Sequence, residues 1–214
     1  MYFPGEYLIP ASNSPVEIYQ LFQRPPIQNF YANANKSGDE LVVKQMNQKI
    51  LQCHSKGNKR YSPFCCYVLA FGEKRSIEDH YQSCKVFKTP VGLIQARDWR
   101  EAKDWQKAVN KGGKGYERVD FMLPNGISLE NSNDKVTDLV IQYYIALWFK
   151  YLRAHPELIE HAKNFDEFVD PFKGKFPFCQ ADVIRLVARE GVNALKPMCQ
   201  EVLELIKAHK HSKQ

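Results

Sequence analysis

The sequence predicts an α+β fold, mainly α with a few short strands, in a single domain over residues 1–214. Three observations carry this. The chain has 214 residues, 44% hydrophobic and 13% aromatic, enough apolar material for a buried core. Beyond Gly38, apolar residues recur at spacings of three and four, the helical period. Between those stretches lie short aromatic runs bounded by glycine and proline, which suit brief strands and turns.

Taken in order, residues 1–38 carry Pro4, Pro10, Pro15, Pro25 and Pro26 among scattered aromatics, and are expected to form an extended segment that wraps the core. Leu41, Val42, Val43, Met46, Ile50 and Leu51 predict a helix over 39–52. Tyr61 to Gly72 offers one or two strands. Ser76-Ile77-Glu78-Asp79 has capping-box spacing, with Ser76 as N-cap, so a helix follows. Trp99, Ala102, Trp105 and Val109 predict a helix over 97–110, stopped by Lys111-Gly112-Gly113-Lys114-Gly115. A strand over 116–123 and a turn at Pro124-Asn125-Gly126 come next.

The longest helix, 134–154, is apolar nearly all round and is expected at the centre. A short helix over 156–162, an aromatic loop over 165–178, helices over 181–190 and 195–208, and a frayed basic tail over 209–214 complete the chain. The window 136–152 is interrupted by Asp138, Gln142 and Lys150, so no membrane span is expected. Met1 to Pro10 has no basic residue and no apolar run, and the six cysteines form no CxxC pair or regular framework. Reduced thiols and a cytoplasmic location are the expectation. Thirty Lys and Arg against 24 Asp and Glu, a net charge of +6, favour anionic partners.

Two segments could carry chemistry. In the helix opened by Ser76, Glu78, Gln82 and Lys85 are spaced by four and three and so share a face, placing a carboxylate, an amide and an ammonium together. In Asp170-Pro171-Phe172-Lys173-Gly174-Lys175, an acid stands beside an aromatic ring and two lysines, a set that could place Asp170 over a sugar and the lysines on a phosphate. Two acids on separate segments suit glycosidic cleavage: one handles the proton on the leaving group, the other stabilises an oxocarbenium-like centre or activates water. The bland alternatives are a solvated helix face with an ordinary ion pair, and a surface turn.

The run Ser76-Ile77-Glu78-Asp79-His80-Tyr81-Gln82-Ser83-Cys84-Lys85-Val86-Phe87 resembles the S-x-E-H-x-Y-Q-x-x-K-F signature of the NADAR family of N-glycosidases. Asn29-Phe30-Tyr31 and Tyr61-Ser62-Pro63-Phe64 resemble its earlier N-F-Y and S-N-F segments, and Ala146 to Tyr151 its A-L-x-x-K-F helix, all in the same order. Asp170 to Lys175 is similar to its D-x-x-W-G-x-G loop, with Phe172 or Phe176 where tryptophan is usual and one of the two glycines kept. Residues 180–187 would correspond to its N-x-L-G-x-L-L-M helix.

The resemblance implies an α-rich NADAR-like domain that hydrolyses the bond between a base and a ribose. The substrate would be a phosphorylated or ADP-ribosylated nucleoside, including ADP-ribosylated guanine in nucleic acid, with no metal or other cofactor. By the same resemblance Glu78 and Asp170 are the catalytic pair, Gln82, Lys85, Lys150 and Lys173 are substrate or structural partners, and Phe64, Tyr81 and Phe172 stack on the base. The altered final loop also allows a non-catalytic module that binds ADP-ribose, a nucleotide or nucleic acid. A protein acting only through a protein partner is a third reading.

Other signals are weaker. Cys65, Cys66, His80 and Cys84 match no usual zinc spacing, and the Lys-Gly-Gly-Lys-Gly stretch lacks the Gly-Lys-Ser/Thr ending of a phosphate loop. Lys103, Lys107, Lys111 and Lys114 make one stripe if their helix runs that far, and such a stripe could follow a phosphate backbone.

Overall fold

Backbone pairing, not side-chain spacing, decides the first part of the chain. The computed structural model describes residues 35–37, 40–43, 48–55, 57–124, 126–128, 136–170 and 179–211. Its first three elements are strands, β1 (Asn35–Ser37), β2 (Glu40–Val43) and β3 (Gln48–Gln52), paired antiparallel in turn, with Leu41 opposite Ile50. The helix expected over 39–52 is therefore a strand pair. Val42 and Val43 are β-branched and favour strand, and β3 gains a second partner from far along the chain, which local spacing cannot reveal. The expected extended segment otherwise falls outside the described residues.

A 3₁₀ turn at Lys59–Tyr61 leads into the hairpin β4 (Tyr67–Ala70) and β5 (Glu73–Ser76), whose corner is Phe71-Gly72. Ser76 then caps α1 (Ile77–Gln82) by accepting a hydrogen bond from the Asp79 amide at 3.0 Å. The Asp79 carboxylate accepts from the Ser76 hydroxyl at 2.8 Å and from the Trp99 amide at 3.2 Å, so the capping pair also anchors the next helix. Strands β6 (Lys85–Thr89) and β7 (Gly92–Gln95) follow as a hairpin. Next come α2 (Trp99–Asn110), capped by Asp98, and β8 (Glu117–Phe121), which pairs with β6. Gly112 at φ +68° is among the residues that end α2.

The long helix α3 (Val136–Ala154) is buried on nearly every described side, with Ile141, Tyr143, Ala146, Leu147 and Trp148 fully covered. Its cover comes from α1, β4, α4 (Pro156–Ala162), two 3₁₀ turns at Val192–Leu195 and Pro197–Cys199, and α6 (Gln200–His211). A short strand, β9 (Glu167–Val169), runs parallel to β3, with Leu51 opposite Phe168, and α5 (Gln180–Glu190) packs on β9 and α4. Among the described residues there are six α-helices and nine strands in three small sheets, an α+β arrangement. No described helix is long and apolar enough to cross a membrane.

Two substitutions test this account. Ser76→Ala removes a buried hydroxyl that serves both Asp79 groups and should lower stability by about 1 kcal/mol. That corresponds to about 2–4 °C in Tm for a chain of this size. A methyl group on Gly57 would lie 2.8 Å from the Gln52 carbonyl oxygen and 2.5 Å from the Gln52 Cβ, so Gly57→Ala should cost about 1–3 kcal/mol in the same thermal unfolding assay. An unchanged Tm in both variants would contradict the local geometry.

Candidate functional site

The helix α1 ends at Gln82, one turn sooner than a shared face of Glu78, Gln82 and Lys85 requires. Glu78 and Gln82 do share a face: the Gln82 amide donates to the Glu78 carboxylate at 2.8 Å. Lys85 is instead the first residue of β6, and the tight turn through Ser83 and Cys84 returns its ammonium to 5.8 Å from the centre of the Tyr81 ring. The predicted trio is together, though two elements supply it. The backbone of α1 is fixed at the same point, since the Glu78 amide donates to the Pro63 carbonyl at 2.9 Å.

Opposing forces act on the Glu78 carboxyl. Burial raises its pKa; the Gln82 hydrogen bond and the Lys85 charge pull it back, while Asp79 adds a further upward push. Burial wins, so the group keeps its proton to a higher pH than an ordinary glutamate. Lys85 is shifted down, chiefly by burial, with Glu78 opposing and Arg118 of β8 assisting. Arg118 thus adds a second cation to the group, and nothing in its local sequence marks it for that role.

The Tyr81 ring is half-buried against the core, meeting Phe121 and Tyr144 with centroids 5.3 Å away in each case. Tyr144 extends from this cluster toward the second acid. Its hydroxyl donates to the Gln180 side chain at 3.2 Å, and the Gln180 amide donates to the Cys53 carbonyl at 3.1 Å. Burial pushes the Tyr144 phenol well above the usual tyrosine range, and the negative charge of Glu78 acts in the same direction.

Asp170 follows β9 and is only 4% exposed. Beside it lie the thiols of Cys53 and Cys179, both held protonated mainly by burial and next by the Asp170 charge. Cys179 also donates to Asp182 at 3.0 Å, and Asp182 is paired with Arg185 at 2.7 Å. Tyr144 thus lies between the surroundings of Glu78 and Asp170, 92 positions apart in sequence (170 − 78), through the Tyr81 ring on one side and Gln180 on the other. Tyr144 and Gln180 escaped sequence reasoning. A tyrosine in an apolar helix resembles plain core; the available signal was that a buried phenol needs a polar partner.

The remaining predicted residues lie elsewhere or outside the description. Lys150 is seven positions after Tyr143, on the same side of α3, and near the His80 imidazole, whose Nε2–H donates to the Val68 carbonyl at 3.1 Å on the β4–β5 side. Phe64 is 41% exposed and meets Trp99 edge to face at 5.1 Å. Phe172 and Lys173 lie outside the described residues. Among those described, no group of three or more His, Cys, Asp or Glu residues is arranged to hold a metal ion. No protein-family model, no curated protein and no solved structure matches the chain.

The electrostatics of Glu78 give signed expectations. Gln82→Leu removes a bond that favours the carboxylate, so the Glu78 titration midpoint, followed by carboxyl carbon NMR, should move up; a static or lower midpoint contradicts the assignment. Because the folded state holds this proton more tightly than the unfolded chain, ionisation costs stability as pH rises from the ordinary glutamate range through the folded midpoint. The Tm gain of Glu78→Gln over wild type should therefore be larger at pH 7 than at pH 4.

Proposed function

We propose that the protein is an N-glycosidase that hydrolyses the base–ribose bond of a phosphorylated or ADP-ribosylated nucleoside, acting in the cytoplasm. The observation that carries this reading is that Tyr144 meets the Tyr81 ring on the Glu78 side and hydrogen-bonds Gln180, next to the Cys179 thiol beside Asp170, while burial raises the Glu78 pKa. A carboxyl that keeps its proton can hand it to a departing base nitrogen, and a second carboxylate can face the positive charge that develops on the ribose.

In this mechanism the Glu78 proton passes to the base as the C1′–N bond breaks and its electron pair leaves with the nitrogen. Water then adds to C1′, and the proton it releases returns to the Glu78 carboxylate, so base and free ribosyl product form at the expense of one water. Asp170 stabilises the cationic sugar between the two steps. Lys85 and Arg118 supply positive charge for the substrate phosphates on the Glu78 side. Gln82 fixes the Glu78 carboxyl for transfer.

Incubation with nucleotides and ADP-ribosylated nucleosides, followed by mass spectrometry, tests the reading. Base should be released, and Glu78→Gln should slow release by at least about 10²-fold in a folded protein, the scale of a lost general acid. Tight binding of intact ligand without release would select the non-catalytic module instead.

A further inference from the structure

Outside the Glu78 group, an aromatic and basic surface runs from the start of α2 along one side of that helix. Phe64 is exposed, and its ring meets Trp99 at 81°. The Trp99 indole carries two cations: the Arg100 guanidinium is 4.9 Å from the ring centre and the Lys103 ammonium 5.9 Å. Both side chains belong to exposed residues, and neither forms an ion pair with a described residue. Cation–π contact holds these charges near the ring where free side chains would swing widely.

The surface continues in register. Lys103, Lys107 and Lys111 are spaced by four, with Lys111 at the C-cap, so with Arg100 they line one stripe, and all are exposed. Lys107 is partly offset by Asp104 at 2.8 Å, and Glu101 is engaged by Arg97 at 3.1 Å around the helix. The helix cannot be tilted freely, because the Trp99 amide is bonded to Asp79 and Ala102 is buried against Phe87. A row of cations on an anchored helix, with an exposed ring at one end, fits a chain of phosphates whose bases are unpaired and able to stack.

We infer that the Phe64, Trp99, Arg100, Lys103 and Lys107 surface binds single-stranded nucleic acid, with phosphates along the α2 stripe and a base against Phe64. The surface needs neither Glu78 nor Asp170 and does not rest on the glycosidase reading. Stacking favours a single strand over a duplex, whose bases are already stacked, and an acidic polypeptide offers charge with no flat ring.

Fluorescence anisotropy with labelled dT20 and rU20, on the full chain over a range of salt, tests this. Saturable binding should weaken as salt rises, with a log–log slope of about −2 for three neutralised phosphates on a single strand. Arg100→Gln with Lys103→Gln should weaken binding at least about tenfold and flatten that slope. Phe64→Ala should weaken binding several-fold at an unchanged slope. Glu78→Gln should bind like wild type, so loss of base release leaves this surface standing, and loss of strand binding leaves release from a free nucleotide standing. No wild-type binding, equal affinity for a duplex or for polyglutamate, or full affinity in the double variant with its far-ultraviolet circular dichroism intact would each overturn the proposal. If the double variant does not fold, Phe64→Ala and the wild-type salt slope decide the matter.

Discussion

An apolar helix must be covered on all its sides, and the covering of α3 organises the molecule. Ile141, Ile145, Leu147 and Trp148 are removed from water, each large side chain contributing about 1.5–3 kcal/mol through burial. Elements from both ends of the chain are drawn in to do this: α1 and β4 from one direction, α6 and its preceding 3₁₀ turns from the other. Tyr144 lies on the same helix and cannot reach water, so its hydroxyl must find a partner inside. Gln180 provides it, and the Gln180 amide in turn ties α5 to the end of β3. Packing of one helix thus brings the neighbourhoods of two acids, from α1 and from the end of β9, onto one side chain.

The same burial sets the chemistry of Glu78. In water a glutamate beside a lysine would ionise readily; here removal from solvent outweighs the pull of Lys85 and the Gln82 hydrogen bond. Lys85 is depressed by burial in its turn, and the Glu78 charge opposes that shift. The six cysteines stand in contrast. Five are buried, and burial raises the pKa of each of the five, as befits thiols that pack and donate to carbonyl or carboxylate oxygens.

Much of this was legible in the sequence where local signals were strong. Ser76 and Asp79 carry enough capping information to place α1, Pro156 starts α4, and the glycines after Lys111 stop α2 before Lys114 joins the stripe. The Glu78–Gln82–Lys85 grouping was found for a partly incorrect reason, since Lys85 arrives by a turn into β6. The strand pair over 40–52 was missed because its apolar spacing also fits a helix, and its parallel partner β9 begins 115 positions after the end of β3 (167 − 52). Strands β5, β6 and β7 were missed for a related reason: Glu73-Lys74-Arg75 and Gly92-Leu93 look like polar turn material until their partners across the sheet are known. Arg118 and Tyr144 acquire their roles only from tertiary contacts.

In the proposed reaction a ribose is held between residue 78 and residue 170. The most direct measurement is a crystal structure of the Glu78→Gln protein with ADP-ribose bound. It should show the ribose C1′ within reach of both side chains, with the phosphates toward Lys85 and Arg118. A ribose bound elsewhere on the molecule, in a protein that folds normally, would contradict the account.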